Sequence, residues 1–205
     1  MPSSSELILA SASPRRAALM GQIDLSFRIV PSRISEDDDV PSDPEQHVRV
    51  LSRRKAEDVA HRGGAGLILG ADTVVVIDGT VLGKPKDPED AISMLSRLSG
   101  RTHRVLTGLT LVRVPMSEKE GGAALSDVVA TSVRMRVLSR AEIEWYVSTG
   151  EPMDKAGAYG IQGKGAVLVE CIEGCFYNVV GLPLSRLIAM LRRMGYDLRE
   201  GEDGT

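Results

Sequence analysis

The chain is poor in the residues that bind soft metal ions. Its 205 residues include only two cysteines and three histidines. Cys171 and Cys175 have three residues between them, and His47, His61 and His103 are scattered, so no zinc-binding pattern is present. We therefore expect any metal ion to be a hard cation with oxygen ligands.

Long apolar runs and a strong charge of one sign are also missing. No apolar run approaches the roughly 20 residues of a membrane-spanning helix, and residues 1–9 lack the features of a signal peptide, so we expect a cytoplasmic protein. The net charge is −3, from 25 basic and 28 acidic residues. Such a balance does not favour duplex nucleic acid as a partner. Aromatic residues make up 3% of the chain, which leaves few side chains for base stacking. We expect a small-molecule partner.

Strand-like apolar runs alternate with stretches of helical periodicity. The predicted strands cover residues 7–10, 27–31, 66–77, 101–114, 125–137 and 165–172, and the predicted helices cover residues 14–22, 44–62, 88–98, 139–149 and 183–194. This alternation predicts an α/β fold with a sheet covered by helices. No repeat or linker interrupts the pattern, so we predict one domain over residues 1–205, with a loop from Met116 to Ala124 and a frayed tail over 199–205.

Residues 7–16 join an apolar strand to the start of a helix that carries two arginines. We predict that Ser13 is the N-cap of this helix. Basic side chains oppose the helix dipole at this end, which indicates that an anion compensates for them. We therefore predict a phosphate-binding site formed by Ser11, Arg15, Arg16 and free N–H groups. An ordinary capped helix with two solvated arginines is equally compatible with this segment alone.

A carboxylate interrupts the most apolar part of the chain. Residues 66–77 are a nearly unbroken apolar run, typical of a buried strand, and Asp72 lies within it. Because a buried charge without a partner is costly, such a residue is neutralised, paired or bound to a metal. We favour a functional site at Asp72 over a purely structural role.

The dipeptide Asp78–Gly79 follows this run and predicts a two-residue hairpin turn. If the residues that flank the turn pair with each other, Thr73 lies opposite Lys84, with Cβ atoms about 5 Å apart. Lys84 is thereby brought beside Asp72. A bulge or a three-residue loop would instead turn Lys84 to the other face of the sheet.

The predicted helix over residues 44–62 carries an apolar stripe, and Lys55 lies on that stripe, four residues beyond Leu51. We expect Lys55 to point inward. Periodicity alone is equally compatible with an ammonium group that reaches past the stripe to water. The acidic segment SEDDD, residues 35–39, lies upstream and, with Asp72, offers oxygen ligands suited to Mg²⁺.

Residues 157–165 contain four glycines, which permit close approach of the backbone to a ligand. The segment is not a P-loop, because its glycine spacing is wrong and Lys164 is followed by glycine rather than serine or threonine. The Gln162 amide offers both a donor and an acceptor, which suits the N3–H and O4 edge of uracil or thymine. A glutamine that merely forms part of the turn is an adequate alternative.

Taken together, these segments resemble the Maf family of nucleoside triphosphate pyrophosphatases, once named for septum-formation inhibition. The matching pieces, in chain order, are LASASPRR (9–16), GADTVV (70–75), LGKP (82–85), LSGRTH (98–103) and DKAGAYGIQG (154–163). They extend over most of the chain. Any one of them would be weak, but five in order are specific.

The resemblance implies hydrolysis of a nucleoside triphosphate between the α and β phosphates, with a divalent cation, Mg²⁺ or Mn²⁺, as cofactor. Transferred by motif, Asp72 is the general base or a metal ligand and Glu36 a metal ligand. Lys55 and Lys84 are cations for the phosphates or the transition state. The phosphates would be held by Ser11, Arg15 and Arg16. Arg15, Thr73 and Gln162 match the branch that acts on dTTP, UTP and modified pyrimidine nucleotides.

The resemblance also implies the architecture and the biological setting. It predicts an inosine-triphosphatase-like fold of the Maf and Ham1 type, a mixed α/β sheet in two lobes with the site in a central cleft. It further implies a homodimer, a role in nucleotide-pool cleansing, and arrest of cell division.

Two other classes of function stay open at this point. A non-catalytic nucleotide-binding regulator of septum formation would use the same phosphate site. Triphosphate binding alone, however, gains nothing from two added carboxylates unless they position a metal ion for the reaction. A kinase or an ATPase that cleaves at the γ phosphate is disfavoured by the absence of a Walker motif.

Overall fold

The computed structural model describes residues 6–36, 40–115 and 122–196. Its strands are β1 (Leu7–Leu9), β2 (Arg28–Ile29), β3 (Gly66–Ile77), β4 (Thr80–Leu82), β5 (Thr102–Val114), β6 (Ala123–Met135) and β7 (Val169–Glu173). Its α-helices are α1 (Pro14–Gly21), α2 (Pro44–His61), α3 (Pro88–Leu98), α4 (Arg140–Ser148), α5 (Phe176–Val180) and α6 (Leu184–Arg193). Short 3₁₀ helices cover Glu151–Asp154, Ala156–Ala158 and Gly163–Leu168.

Within the described residues the strands form one seven-stranded sheet in the order β2-β1-β3-β5-β6-β7, with β4 paired to β3. β1 is parallel to both β2 and β3, whereas the β3–β4 and β6–β7 pairs are antiparallel. The predicted mixed α/β fold is therefore confirmed. Within the described ranges, no helix combines the length and apolar character needed to cross a membrane.

Contacts divide the chain into two compact units. The first comprises the described parts of Met1–Asp72, Gly108–Val128 and Gly181–Thr205. The second comprises Thr73–Thr107 and Val129–Val180. The predicted tail over 199–205 and most of the predicted loop from Met116 lie outside the described residues.

The first unit is built on helix α2 and the start of β3. Ala56 and Val59 of α2 pack with Ile8 of β1 and Ile68 of β3 in one buried apolar cluster. The approach is close at Gly70, where an added Cβ would lie 2.0 Å from the carbonyl oxygen of Ser52. Gly70 therefore allows the backbone of α2 to lie directly against the sheet.

The second unit has its own core, in which α3 and α4 contribute Leu95 and Tyr146 to a cluster with Val75 of β3. The predicted hairpin is confirmed, since Ile77 pairs with Thr80. Asp78 and Gly79 have φ angles of 52° and 70°, as a type I′ turn requires.

The sequence predicted most element bounds to within two residues, and Ser13 is the N-cap of α1 as predicted, but the sequence was wrong for two segments. Residues 165–168 belong to a 3₁₀ helix rather than a strand, and the helix α5 was not predicted. Ser13 is the N-cap of α1 by position, yet its side chain makes no capping hydrogen bond. The Ser13 N–H instead donates to Ser11 Oγ at 3.2 Å.

Candidate active site

A lysine lies between two carboxylates in the first unit. Lys55 Nζ is 2.7 Å from Asp72 Oδ1 and 2.7 Å from Glu36 Oε1. Lys55 and Asp72 are buried, with 7% and 6% of their surface exposed, whereas Glu36 is exposed. Because the ammonium group contacts both carboxylates, it neutralises part of a charge that would be costly beneath the surface.

The local sequence explains why these groups meet. Lys55 lies on the same face of α2 as the buried residues Leu51 and Val59, which directs its side chain toward the sheet. Asp72 lies in the buried run of β3. The prediction that Lys55 points inward is confirmed, and the alternative that it reaches past the stripe to water is excluded.

Arg16 adds a second buried cation to this unit. Its Nε donates to the Gly181 carbonyl at 2.9 Å, and its Nη1 donates to Ser11 Oγ at 3.0 Å and to the Ala71 carbonyl at 2.9 Å. Arg16 is thus not simply solvated, as the ordinary-helix interpretation required. These bonds also tie the start of α1 to the residue immediately before Asp72.

The charges around Arg16 act on its ionisation. Burial lowers the pKa of the Arg16 guanidinium from its usual value, whereas the carboxylates of Asp72 and Glu36 raise it. The positive charge of Arg15, the preceding residue of the helix, also lowers it. Hydrogen bonds, ion pairs or electrostatic interactions therefore connect five predicted site residues within this unit. They are Ser11, Arg16, Glu36, Lys55 and Asp72.

The second unit contains the remaining predicted site residues. Thr73 Oγ1 lies 2.9 Å from Thr107 Oγ1, and Thr107 in turn donates to the Asn178 carbonyl at 3.1 Å. Lys84 is exposed, just beyond the end of β4. Because β4 ends at Leu82, the pairing of Thr73 with Lys84 stays a prediction.

The glycine-rich segment, defined here as residues 154–165, lies in the same unit as Lys84. The Gly157 N–H donates to the Gly83 carbonyl at 2.9 Å, which ties the segment to the residue before Lys84. Gln162 is exposed and immediately precedes the 3₁₀ helix Gly163–Leu168.

Sequence reasoning missed the residues that hold these groups in place. Asn178 is fully buried and donates to the Val105 carbonyl and to Thr131 Oγ1, both at 3.0 Å. Glu151 accepts hydrogen bonds from the glycine-rich segment. A polar residue in an apolar run was the only available signal for Asn178, and no sequence pattern pointed to Glu151.

The donor set in the first unit suits a hard metal ion. Glu36 and Asp72 provide carboxylate oxygens, which Mg²⁺ and Mn²⁺ prefer. In the described ranges, no group of three or more His, Cys, Asp or Glu side chains is placed to hold a metal. Two carboxylates fit an Mg²⁺ ion that keeps several waters and binds substrate phosphates, which is its usual behaviour.

Comparison with known proteins identifies the family. The family model described as "Maf-like protein" matches residues 6–194, so the chain belongs to that family. This confirms the resemblance inferred from the five motifs.

Several relatives are similar over nearly their whole length. A dTTP/UTP pyrophosphatase of Dictyoglomus turgidum is 51% identical, over 94% of this chain and 98% of the relative. A dTTP/UTP pyrophosphatase of Symbiobacterium thermophilum is 49% identical, over 97% and 99% respectively. A third, from Thermococcus onnurineus, is 48% identical, over 93% and 98%.

Solved structures show a weaker likeness. A HAM1 protein from Coxiella burnetii superposes with a TM-score of 0.44 at 17% identity, over 92% of this chain and 99% of that chain. A nucleoside-triphosphatase from Mycobacterium abscessus, described as a dITP/XTP pyrophosphatase, has a TM-score of 0.42 at 11% identity, over 93% and 95%. Overlaps of this size do not bear on function.

Proposed function

We propose that this protein is a nucleoside triphosphate pyrophosphatase that hydrolyses dTTP and UTP to the monophosphate and pyrophosphate. The observation that carries the proposal is the Glu36–Lys55–Asp72 arrangement, two carboxylates on one buried cation. Relatives that are 49–51% identical over nearly the full chain bear the name dTTP/UTP pyrophosphatase, which supports the same activity and nucleotide-pool cleansing as its purpose.

In the proposed reaction, water attacks the α phosphorus and the bond to the oxygen that bridges to the β phosphorus breaks. Asp72 is the candidate for the base that takes the proton from water, because its carboxylate is held in place by Lys55. Lys55 also offers positive charge to the phosphates as negative charge moves onto the departing pyrophosphate.

A divalent cation, Mg²⁺ or Mn²⁺, is part of the proposal. Glu36 and Asp72 would hold it, and their oxygen donors suit it. When bound, such an ion polarises phosphoryl oxygens and stabilises developing negative charge.

Substrate binding is assigned to cations and polar groups of the family motifs. Ser11, Arg15, Arg16 and Lys84 are proposed to bind phosphates. Thr73 and Gln162 are proposed to favour pyrimidine nucleotides, with the Gln162 amide on the N3–H and O4 edge of the base. A homodimer is proposed from the family resemblance alone, and a cytoplasmic location stays the expectation drawn from the sequence.

The test is product analysis with a panel of nucleotides. Pyrophosphate and orthophosphate release would be measured from dTTP, UTP, CTP, ATP, GTP and 7-methyl-GTP with Mg²⁺ or Mn²⁺. We expect pyrophosphate from dTTP and UTP. Tight nucleotide binding without turnover would instead support the non-catalytic regulator of septum formation, and orthophosphate would indicate cleavage at the γ phosphate.

Asp72→Asn provides the critical variant. We expect at least a 100-fold loss of kcat, the size of a typical general-base contribution of about 10² or more. Asp127→Asn, which alters a carboxylate paired with Arg186 elsewhere in the same unit, is the matched control. An Asp72→Asn protein that folds and retains more than about a tenth of the wild-type rate would contradict the role of Asp72.

A further inference from the structure

The glycine-rich segment is held by a single carboxylate. Glu151 Oε2 accepts from the Lys164 N–H at 3.0 Å, and Glu151 Oε1 accepts from the Gly165 N–H at 3.1 Å. Tyr146 Oη donates to the same Oε1 at 2.9 Å. The carboxylate therefore receives three hydrogen bonds, two of them from the backbone that directly follows Gln162 and Gly163.

Tyr146 extends this attachment to the other side of Gln162. Its hydroxyl accepts from the Gly160 N–H at 3.2 Å while it donates to Glu151. Tyr146 is fully buried in the core of the second unit, so its hydroxyl is a fixed point. The backbone on both sides of Gln162 is thus bound to one pair of side chains.

The backbone of the segment packs closely against this pair. An added Cβ at Gly163 would lie 2.9 Å from Glu151 Oε2. An added Cβ at Gly165 would lie 2.6 Å from Tyr146 Oη and 2.2 Å from the Gly160 carbonyl oxygen. A side chain at position 165 would overlap the Gly160 backbone, and the φ of 64° at Gly163 favours glycine there, so both glycines permit this close course of the backbone.

The charge of Glu151 is also favoured. Burial raises the pKa of the Glu151 carboxyl, but the hydrogen bonds from Lys164, Gly165 and Tyr146 and the attraction of Lys155 together hold it below its usual value. Lys155 Nζ also donates to the Glu151 carbonyl at 2.6 Å. An ionised carboxylate has the acceptor capacity for all three donors, whereas an amide does not.

We propose that Glu151, with Tyr146, is a positioning residue for nucleobase recognition, which fixes the backbone on both sides of Gln162 so that its amide meets the pyrimidine edge. The inference rests on the proposed function, because it concerns the same reaction and assigns Gln162 to the base. Glu151 and Tyr146 determine pyrimidine specificity through the backbone. Neither makes a described hydrogen bond to Gln162 itself.

The first experiment compares Glu151→Gln and Tyr146→Phe with the wild type in the hydrolysis of UTP, dTTP and CTP. An interaction made equally in the ground state and the transition state affects KM rather than kcat. We expect KM for UTP and dTTP to rise about 10-fold and kcat to change less than about 3-fold. As KM for UTP rises, the ratio of kcat/KM for UTP to that for CTP should fall. A site that recognises a base by hydrogen bonds to its polar edge loses discrimination when those hydrogen bonds are weakened.

Glu170→Gln is the matched control, since this exposed carboxylate of the same unit pairs only at the surface with Arg134. Its kinetics should equal those of the wild type. Tyr146→Phe removes one hydroxyl and keeps the ring in the core, so it reports on the mechanism even if Glu151→Gln fails to fold.

A double-mutant cycle with Gln162→Ala separates positioning from a general structural role. If Glu151 and Tyr146 act through Gln162, Tyr146→Phe in the Gln162→Ala background leaves the UTP-to-CTP preference unchanged. Additive losses of preference would overturn the inference while leaving the proposed function intact. No pyrophosphate from UTP or dTTP with the wild-type protein would overturn the proposed function itself.

Discussion

The ammonium group of Lys55 has an unusual position for a lysine, because it lies on the apolar face of a helix. Lysine is normally exposed, and a buried lysine needs partners of opposite charge. Glu36 and Asp72 supply them, each at 2.7 Å. The three residues are therefore mutually dependent for stability as well as for the proposed chemistry.

Replacing Lys55 tests this dependence. Lys55→Met keeps the length of the side chain but leaves Asp72 without its lysine partner, and breaking a buried pair in this way costs about 3 kcal/mol. We expect a loss of that size in the free energy of unfolding, measured by urea denaturation at pH 7. Lys86→Met, at an exposed lysine, should change it by less than about 0.5 kcal/mol.

The double variant Lys55→Met with Asp72→Asn sharpens the test. Removal of the orphaned charge should recover part of the lost stability, because the cost comes from an unpaired carboxylate. Independent, additive losses in the double variant would show that the two side chains are not coupled.

His103 illustrates a buried residue whose ionisation affects stability. Its Nε2 lies 2.7 Å from Tyr159 Oη, and its Nδ1 is buried without a hydrogen-bond partner among the described residues. Burial lowers the pKa of His103 to about 4. The charged imidazole carries a proton on both nitrogens, and its Nδ1–H would have no acceptor among the described residues, which adds to the cost of burial.

The stability of the protein should therefore fall on acidification. The unfolded state takes up the proton at the ordinary histidine pKa of about 6.5, before the folded state does. The contribution of His103 is complete above pH 6.5 and is lost between pH 6.5 and 4. It amounts to about 2 kcal/mol between pH 7 and 5.

Urea denaturation at several pH values would measure this loss. We expect the wild type to lose about 2 kcal/mol more than His103→Gln between pH 7 and 5. Parallel stability curves for the two proteins would contradict the assignment of a neutral, buried imidazole.

At the level of elements, the contact between α2 and the sheet determines where Lys55 lies. Gly70 of β3 and Gly108 of β5 both face the backbone of α2, and an added Cβ at Gly108 would lie 2.2 Å from the Val48 carbonyl oxygen. With side chains at these positions the helix would have to move outward. The distance between α2 and the sheet therefore depends on the absence of side chains at Gly70 and Gly108.

Gly108→Ala tests this close packing. A strand glycine replaced by alanine normally gains stability from lower chain entropy. Here the overlap with α2 should reverse the sign and cost about 3 kcal/mol of unfolding free energy. Gly21→Ala is the control, because nothing lies within 4 Å of its added Cβ. Equal effects of the two substitutions would contradict the packing argument.

Elements with strong local signals were predictable. Asp43, Asp87 and Ser139 each cap a helix by accepting from the backbone N–H three residues later, and the sequence predicted these three helices to within a residue or two. The 3₁₀ helix Gly163–Leu168 was not predicted. Its apolar residues suggested a strand, whereas its course follows backbone hydrogen bonds to Glu151. Contacts between residues far apart in sequence determine such segments, and no local pattern encodes them.

For the whole molecule, periodicity predicted which residues are buried better than it predicted which residues meet. The inward orientation of Lys55 and the burial of Asp72 followed from apolar patterns and are confirmed. The bond from Arg16 to Gly181 joins residues 165 positions apart, and only the folded chain reveals it. The five family motifs indicated that these segments serve one function, but not how their side chains pair.

Binding of substrate should stabilise the whole chain. A ligand that binds only the folded state adds about 2.7 kcal/mol at 100 times its Kd. For about 200 residues this corresponds to a rise of roughly 5–10 °C in Tm. We expect such a rise with Mg²⁺ and α,β-imido-UTP, a substrate analogue whose α–β bridge resists hydrolysis, in differential scanning calorimetry.

Uridine at the same concentration is the control for this measurement. It lacks the phosphates, so it should produce a much smaller shift. Equal shifts with uridine and the triphosphate analogue would contradict the assigned phosphate-binding residues.

The attachment of the glycine-rich segment to Glu151 and Tyr146 has a consequence for protein engineering. Its course is specified by side chains outside it and by glycines within it, and the described hydrogen bonds of that framework do not involve the exposed Gln162 side chain. The proposed base contact of Gln162 can therefore be altered by randomising position 162, and we expect such libraries to yield folded proteins with changed base preferences. Substrate preference could diverge in evolution in the same way, by substitution of residue 162 without any change in the course of the glycine-rich segment.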